Sequence, residues 1–168
     1  AGAPRVEPAA PLPVAGLGQT HIVDLDVPQT VLRFVGPGLM WDDPDFIAAT
    51  VLNHILGGSA FTSRLFMEVR EKRGLAYSVG AHPNRYSDAG YVEIKAGVAL
   101  EKAREAVEVS LAEVARMKNE PVGEDELDEA KRHIRGGLQI NESSDYYAGR
   151  NGSNLLIRGR LYTLEEEL

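Results

Sequence analysis

Metal and proton chemistry would fall first to the four histidines of this 168-residue chain, His21, His54, His82 and His133. A helical zinc site of the His-x-x-Glu-His kind needs two imidazoles on one helix face, with a carboxylate between them as base. None of these histidines is followed by x-x-Glu-His, and none directly follows a glutamate. His54 stands just before Gly57 and Gly58, and His133 lies beside Arg132 and Arg135. A lone imidazole is one ligand where zinc requires three or four, so the sequence offers no metal site in this chain. Gly57-Gly58-Ser59-Ala60 resembles a phosphate loop only superficially, because no Gly-Lys-Ser/Thr follows and no strand is predicted before it. Nor is there a strand–elbow–helix motif for serine–histidine–aspartate chemistry.

What remains is a cationic run, Arg64, Arg70, Lys72 and Arg73 among Glu68 and Glu71, with Tyr77 just beyond it. Guanidinium is a rigid, permanently charged fork of donors suited to carbonyl oxygens. A tyrosine hydroxyl can donate to a developing oxyanion, where charge stabilisation acts most strongly. On residue types alone, Arg70 reads as a solvated helix charge and Tyr77 as a packed strand aromatic.

The elements that carry this run are a glycine break, a charged amphipathic helix, a second glycine break and a strand. Gly57 and Gly58 can take the left-handed angles that close a preceding helix, and Ser59 or Thr62 can cap the next. Phe61, Leu65, Phe66 and Val69 recur at helical spacing and predict one inward face. Arg64, Glu68, Glu71 and Lys72 are expected to point elsewhere. Gly74 ends this helix, and Leu75 begins a strand.

That stretch resembles the second half-domain of the pitrilysin/insulinase family of zinc peptidases, which includes the mitochondrial processing peptidase. The similarity rests on Leu56-Gly57-Gly58, on Ser63-Arg64-Leu65, and on Arg70-Glu71-Lys72-Arg73-Gly74-Leu75-Ala76-Tyr77. More loosely, it extends from about Gln29 to the C-terminus. The resemblance implies that Arg70 and Tyr77 are the catalytic and substrate-binding pair, reaching across to a zinc site on another half-domain. It implies no cofactor in this chain, zinc in the partner domain or subunit, and a peptide substrate. Arg64, Glu68, Arg73 and the glycines are expected to be structural, with Gly74 letting Arg70 and Tyr77 converge. The alternative is a non-catalytic scaffold like the family members that serve as core subunits of a respiratory complex; a pure scaffold needs neither Arg70 nor Tyr77. By resemblance alone the expected compartment is the bacterial cell envelope, with the cytoplasm left open.

The flanking chain reads as an α+β domain, an antiparallel or mixed sheet with helices on one face. Residues 1–18, with Pro4, Pro8, Pro11 and Pro13, predict a linker or arm, and residues 19–168 the half-domain. His21–Leu25 and Gln29–Val35 are strand candidates. Asp42-Asp43-Pro44 marks a helix start and the helix is expected to run to Leu56. Leu75–Tyr86 and Tyr91–Val98 predict an antiparallel hairpin, the second strand alternating strictly. Helices follow over Glu101–Met117, with Ala103, Val107, Leu111, Val114 and Met117 on its inward face, then over Glu124–Ile140 and Ser143–Ile157. Thr163-Leu164-Glu165-Glu166-Glu167 looks like the start of one more helix, so the half-domain is expected to be incomplete.

Lys and Arg number 18 against 25 Asp and Glu, a net charge of −7, which argues against nucleic acid as a partner. Cysteine is absent, which excludes disulfides and thiolate chemistry but leaves the redox compartment open. No apolar run approaches the ~20 residues a bilayer span requires, and the first sixteen residues show no basic-then-apolar leader pattern.

Overall fold

The computed structural model describes residues 16–40, 43–86, 88–142, 145–159 and 161. Most of the predicted proline-rich arm, Asp42 of the helix start, Ser143 and the Thr163–Glu167 segment lie outside these. The chain divides into two compact units, Ala1–Val122 and Gly123–Leu168.

The first unit is built on a three-stranded antiparallel sheet of β1 (Thr30–Pro37), β2 (Ala76–Arg85) and β3 (Gly90–Val98), in the order β1-β3-β2. The predicted hairpin is β2 and β3. Register follows from the two-residue period of the strands. Leu32 and Val79 lie opposite Ala96, and Phe34 and Ala81 lie opposite Ile94. One face of the sheet is therefore apolar, and Ala81, Ile94, Ala96 and Val98 share a core there with Leu65, Val69 and Ala106 from the helical segments. The opposite face carries Arg33, Glu93 and Lys95, with an Arg33–Glu93 ion pair across the strands. The His21–Leu25 segment forms no strand; Ile22, Val23 and Leu25 are exposed. Apolar and β-branched composition suits a strand, but a strand exists only where it pairs with a neighbour, and this segment pairs with none of β1, β2 and β3.

Helix α1 (Phe46–Asn53) starts where the Asp43 carboxylate accepts a hydrogen bond from the Asp45 N–H at 2.9 Å. It passes into a π-helical turn, His54–Gly58, closed by the Ser59 N–H donating to the His54 carbonyl at 3.2 Å. Gly57 and Gly58 do not take left-handed angles, contrary to the sequence expectation. Gly57 is needed for closeness instead: a Cβ there would lie 2.6 Å from the Ala81 nitrogen of β2. Asn53 tightens the same contact, its Nδ2 donating to the Ala81 carbonyl at 3.2 Å.

After a 3₁₀ turn at Leu100–Lys102, α2 (Ala103–Asn119) packs on β1 and the π-helical segments. Its buried stripe is Ala106, Ser110 and Glu113. The predicted stripe faces inward only in part: Ala103 packs against the core, but Leu111 is 50% exposed and Val114 also faces out. Small residues at Ala106 and Ser110 let the helix come close to the core, and closeness outweighs the larger side chains in fixing its roll. In the second unit, α3 (Glu124–Glu142) opens with Glu124, Asp125 and Glu126, favourable charges at a helix N-terminus. It contacts α4 (Asp145–Arg158). No helix among the described residues is long and apolar enough to cross a membrane.

Candidate functional site

The site is assembled by the segment between α1 and β2. Ser59 Oγ and Thr62 Oγ1 lie 2.8 Å apart, and Ser63 Oγ donates to the Ser59 carbonyl at 2.7 Å. These hydroxyls thus brace the turn with each other and a carbonyl, rather than capping the next helix as predicted. Two α-helical residues, Arg64 and Leu65, lead into a second π-helical segment, Phe66–Glu71. Leu65, Phe66 and Val69 are buried as expected, but Phe61 is 72% exposed because it still belongs to the turn. Its ring meets Phe66 edge to face, centroids 5.5 Å apart and planes at 74°. Arg64 departs from expectation in the other direction: it is buried.

The segment ends abruptly. Lys72 N–H donates to the Met67 carbonyl, Gly74 N–H to Arg70 and Leu75 N–H to Val69, at 2.9, 2.9 and 2.8 Å. Gly74 has φ +58°, and nothing lies within 4 Å of where its Cβ would be. The glycine is therefore demanded by backbone angle and not by space, as at a left-handed helix cap. Lys102 Nζ donates to the Gly74 carbonyl at 2.9 Å and ties this turn to the start of α2.

Tyr77 follows at a β-bulge. Ala76 lies opposite Val98 and Ser78 opposite the adjacent Gly97, so Tyr77 is the extra residue. Ala76 and Val79 both face the core, three positions apart, and strict alternation forbids that. The bulge turns Tyr77 out: it is 79% exposed, where unbroken alternation back from Val79 would have buried it.

Cap and bulge bring Arg70 and Tyr77 together. The Arg70 Cζ lies 6.0 Å from the Tyr77 ring centroid and 4.8 Å from that of Phe66. The Arg70 side chain is 40% exposed, and its nearest carboxylate, Glu71, is 3.9 Å from Nε. The other cations of the run are engaged elsewhere. Glu68 takes ion pairs from both Lys72 and Arg73, and Arg73 Nη1 also donates to the Glu68 carbonyl at 2.8 Å. The Lys72 bond, then the Arg73 bond, hold the Glu68 carboxyl below its ordinary pKa. Glu68 is thereby turned to Lys72 and Arg73, while the carboxylate beside Arg70 is that of Glu71. The arrangement leaves a planar array of N–H donors and a phenol hydroxyl on one exposed edge, able to donate to an oxygen that gains negative charge.

The family resemblance names Arg70 and Tyr77 but not the Phe66 contact. The signal was there: Phe66 and Arg70 are i and i+4, neighbours on a helix surface. The histidines do not gather; among the described residues, no three His, Cys, Asp or Glu side chains lie close enough to hold a metal ion.

A layered α+β unit with an exposed arginine and tyrosine beside a glycine cap defines the class, and comparison with known proteins defines the family. The chain belongs to the family described as the peptidase M16 inactive domain, whose model matches residues 2–134. A Bacillus subtilis protein described as an uncharacterized zinc protease is 38% identical over 117 residues, 69% of this chain and 28% of that protein. A Rickettsia felis protein similarly described is 32% identical over 156 residues, 92% of this chain and 38% of that protein. The chain thus spans well under half the length of these relatives. A solved peptidase M16 inactive domain from Pseudomonas fluorescens superposes with a TM-score of 0.72 at 32% identity, over 83% of this chain and 33% of that one. The fold, though at 23% identity only the fold, also matches a chain of Complex III2 from Candida albicans, with a TM-score of 0.70 over 85% of this chain and 36% of that one.

Proposed function

We propose that this chain completes the active site of a zinc-dependent peptidase, with zinc held by another half-domain or subunit of the same family. The described residues of this chain do not fit the metal, since no three ligating side chains converge. Its part is to hold the substrate. Arg70 directs its N–H fork, and Tyr77 its hydroxyl, at the carbonyl oxygen of the peptide bond under attack. As that oxygen becomes an oxyanion, both bonds tighten, so their contribution is larger in the transition state than in the bound substrate. The observation that carries this reading is the meeting of Arg70 and Tyr77 on an exposed edge, with Glu68 occupied by other cations.

Likeness to a chain of Complex III2 favours a second reading, a scaffold subunit in which the pair has no chemical task. Arg70→Lys, made in the full-length protein together with its zinc-bearing half, separates the two. An ammonium keeps the charge but cannot reproduce the planar two-point contact. Turnover of a peptide substrate should therefore fall at least 10-fold with folding and zinc content intact. Unchanged turnover in Arg70→Lys and in Arg70→Ala would rule out the active-site reading and favour the scaffold.

A further inference from the structure

We infer that Phe66 is a positioning residue for Arg70, a platform that holds the guanidinium in the one orientation from which it reaches substrate; the inference rests on the reading of Arg70 as a substrate-contacting group. A bidentate ion pair with a carboxylate would take two of the five guanidinium N–H donors that an arginine can offer a substrate. An aromatic face constrains the guanidinium plane and leaves its N–H edges available. Arg70 is held in that way. Its Cζ is 4.8 Å above the Phe66 ring, closer than the 6.0 Å to Tyr77. Glu71 comes only to 3.9 Å and Glu68 is taken by Lys72 and Arg73.

The platform is itself fixed. Phe66 is buried, and the exposed Phe61 ring abuts it edge to face at 5.5 Å. A buried ring with an aromatic neighbour has little rotational freedom, so the plane it offers to Arg70 is constant. The π-helical winding adds to this, because Phe66 and Arg70 begin and nearly end a segment whose last turn is closed by the Lys72–Met67 bond at 2.9 Å. Winding of this kind often marks functional sites, where it sets a side chain at an angle that regular α-helix would not give.

The test uses the full-length protein with its zinc-bearing half. Phe66→Leu keeps an apolar side chain of similar bulk and removes the ring. A cation–π contact at a half-exposed site corresponds to a factor of about 5 in population, so kcat should fall about 5-fold with little change in KM. Phe66→Tyr keeps the ring and should retain turnover. In an Arg70→Ala background, Phe66→Leu should have no further effect, since Phe66 acts only through Arg70. A spectroscopic readout accompanies the kinetics: ring current from Phe66 should shift the Arg70 side-chain resonances upfield, and Phe66→Leu should abolish that shift. An equal further loss in the Arg70→Ala background would overturn the inference, as would full turnover in Phe66→Leu once the ring shift is gone. Should Phe66→Leu fail to fold, a ring-fluorinated phenylalanine at position 66 has nearly the same shape with a weakened quadrupole. It should give the same drop in kcat, and full turnover with it would overturn the inference. If Arg70→Ala itself keeps full turnover, the active-site reading falls; the ring shift then still decides whether Phe66 orders Arg70.

Discussion

Tyr77→Phe tests the proposed chemistry with little disturbance to the fold. The Tyr77 ring is 79% exposed on a bulge, so removing its hydroxyl takes nothing from the core. Surface changes of this kind stay within about 0.5 kcal/mol, and the melting temperature should move by no more than about 2 °C. The effect on chemistry should be much larger. Losing one donor to an oxyanion costs on the order of 100-fold in turnover, about 2.7 kcal/mol of transition-state stabilisation. The ring itself and its place beside Arg70 are kept by the substitution, so substrate affinity should move far less than kcat. The assay is steady-state cleavage of a fluorogenic peptide by the full-length protein with its zinc-bearing half, alongside thermal melts and zinc analysis. Arg73→Lys is the control for local charge, because Arg73 Nη1 is turned to the Glu68 carboxylate and carbonyl, and it should leave turnover nearly unchanged. A Tyr77→Phe variant that melts normally, keeps its zinc and turns over at the full rate would refute the oxyanion role.

Two glycines of the central stretch should respond differently to alanine. Gly74→Ala meets no steric obstacle but must hold φ +58°, which costs about 1–2 kcal/mol; Gly57→Ala drives a Cβ to 2.6 Å from β2 backbone, overpacking that costs about 1–3 kcal/mol or more. Denaturant melts should rank Gly57→Ala as the more damaging, and the reverse order would contradict the close-approach account. Glu68, whose carboxyl is held below its ordinary pKa of 4.5 by Lys72 and then Arg73, should stabilise the fold above that pH and lose the contribution as pH falls through the depressed value. The stability gap between wild type and Glu68→Gln should accordingly be full at pH 7 and close only below pH 4.5, and a gap independent of pH would contradict this. Purified and dialysed, this chain alone should carry no stoichiometric zinc; retained zinc that is lost on substituting two of its histidines would assign the metal here.

What the sequence by itself determined is local, or carried by a long contiguous motif. Alternation of Val92, Ile94, Ala96 and Val98 marked β3 and its inward face, and the sequence Ser87-Asp88-Ala89-Gly90 marked the hairpin's turn, because a two-residue period and turn chemistry are properties of neighbouring residues. Gly74 as a helix stop was legible for the same reason. The family was legible from the run Arg70 to Tyr77, and with it the α+β class and the candidate pair. Tertiary structure alone decided the rest. Tyr77 is exposed because pairing with β3 forces an extra residue between Ala76 and Ser78, and register is a property of two strands. Gly57 is a glycine because β2 backbone passes beside it, not because its helix needed a left-handed end. The roll of α2 was set by how closely Ala106 and Ser110 allow it to approach the core, which outweighed the larger apolar side chains at Leu111 and Val114. Arg64 is buried and Phe61 exposed, the reverse of their polarity, because position relative to the turn and core overrode side-chain type. Each of these outcomes depends on contacts between residues distant in the chain, and such contacts leave no periodic trace in either partner's own segment.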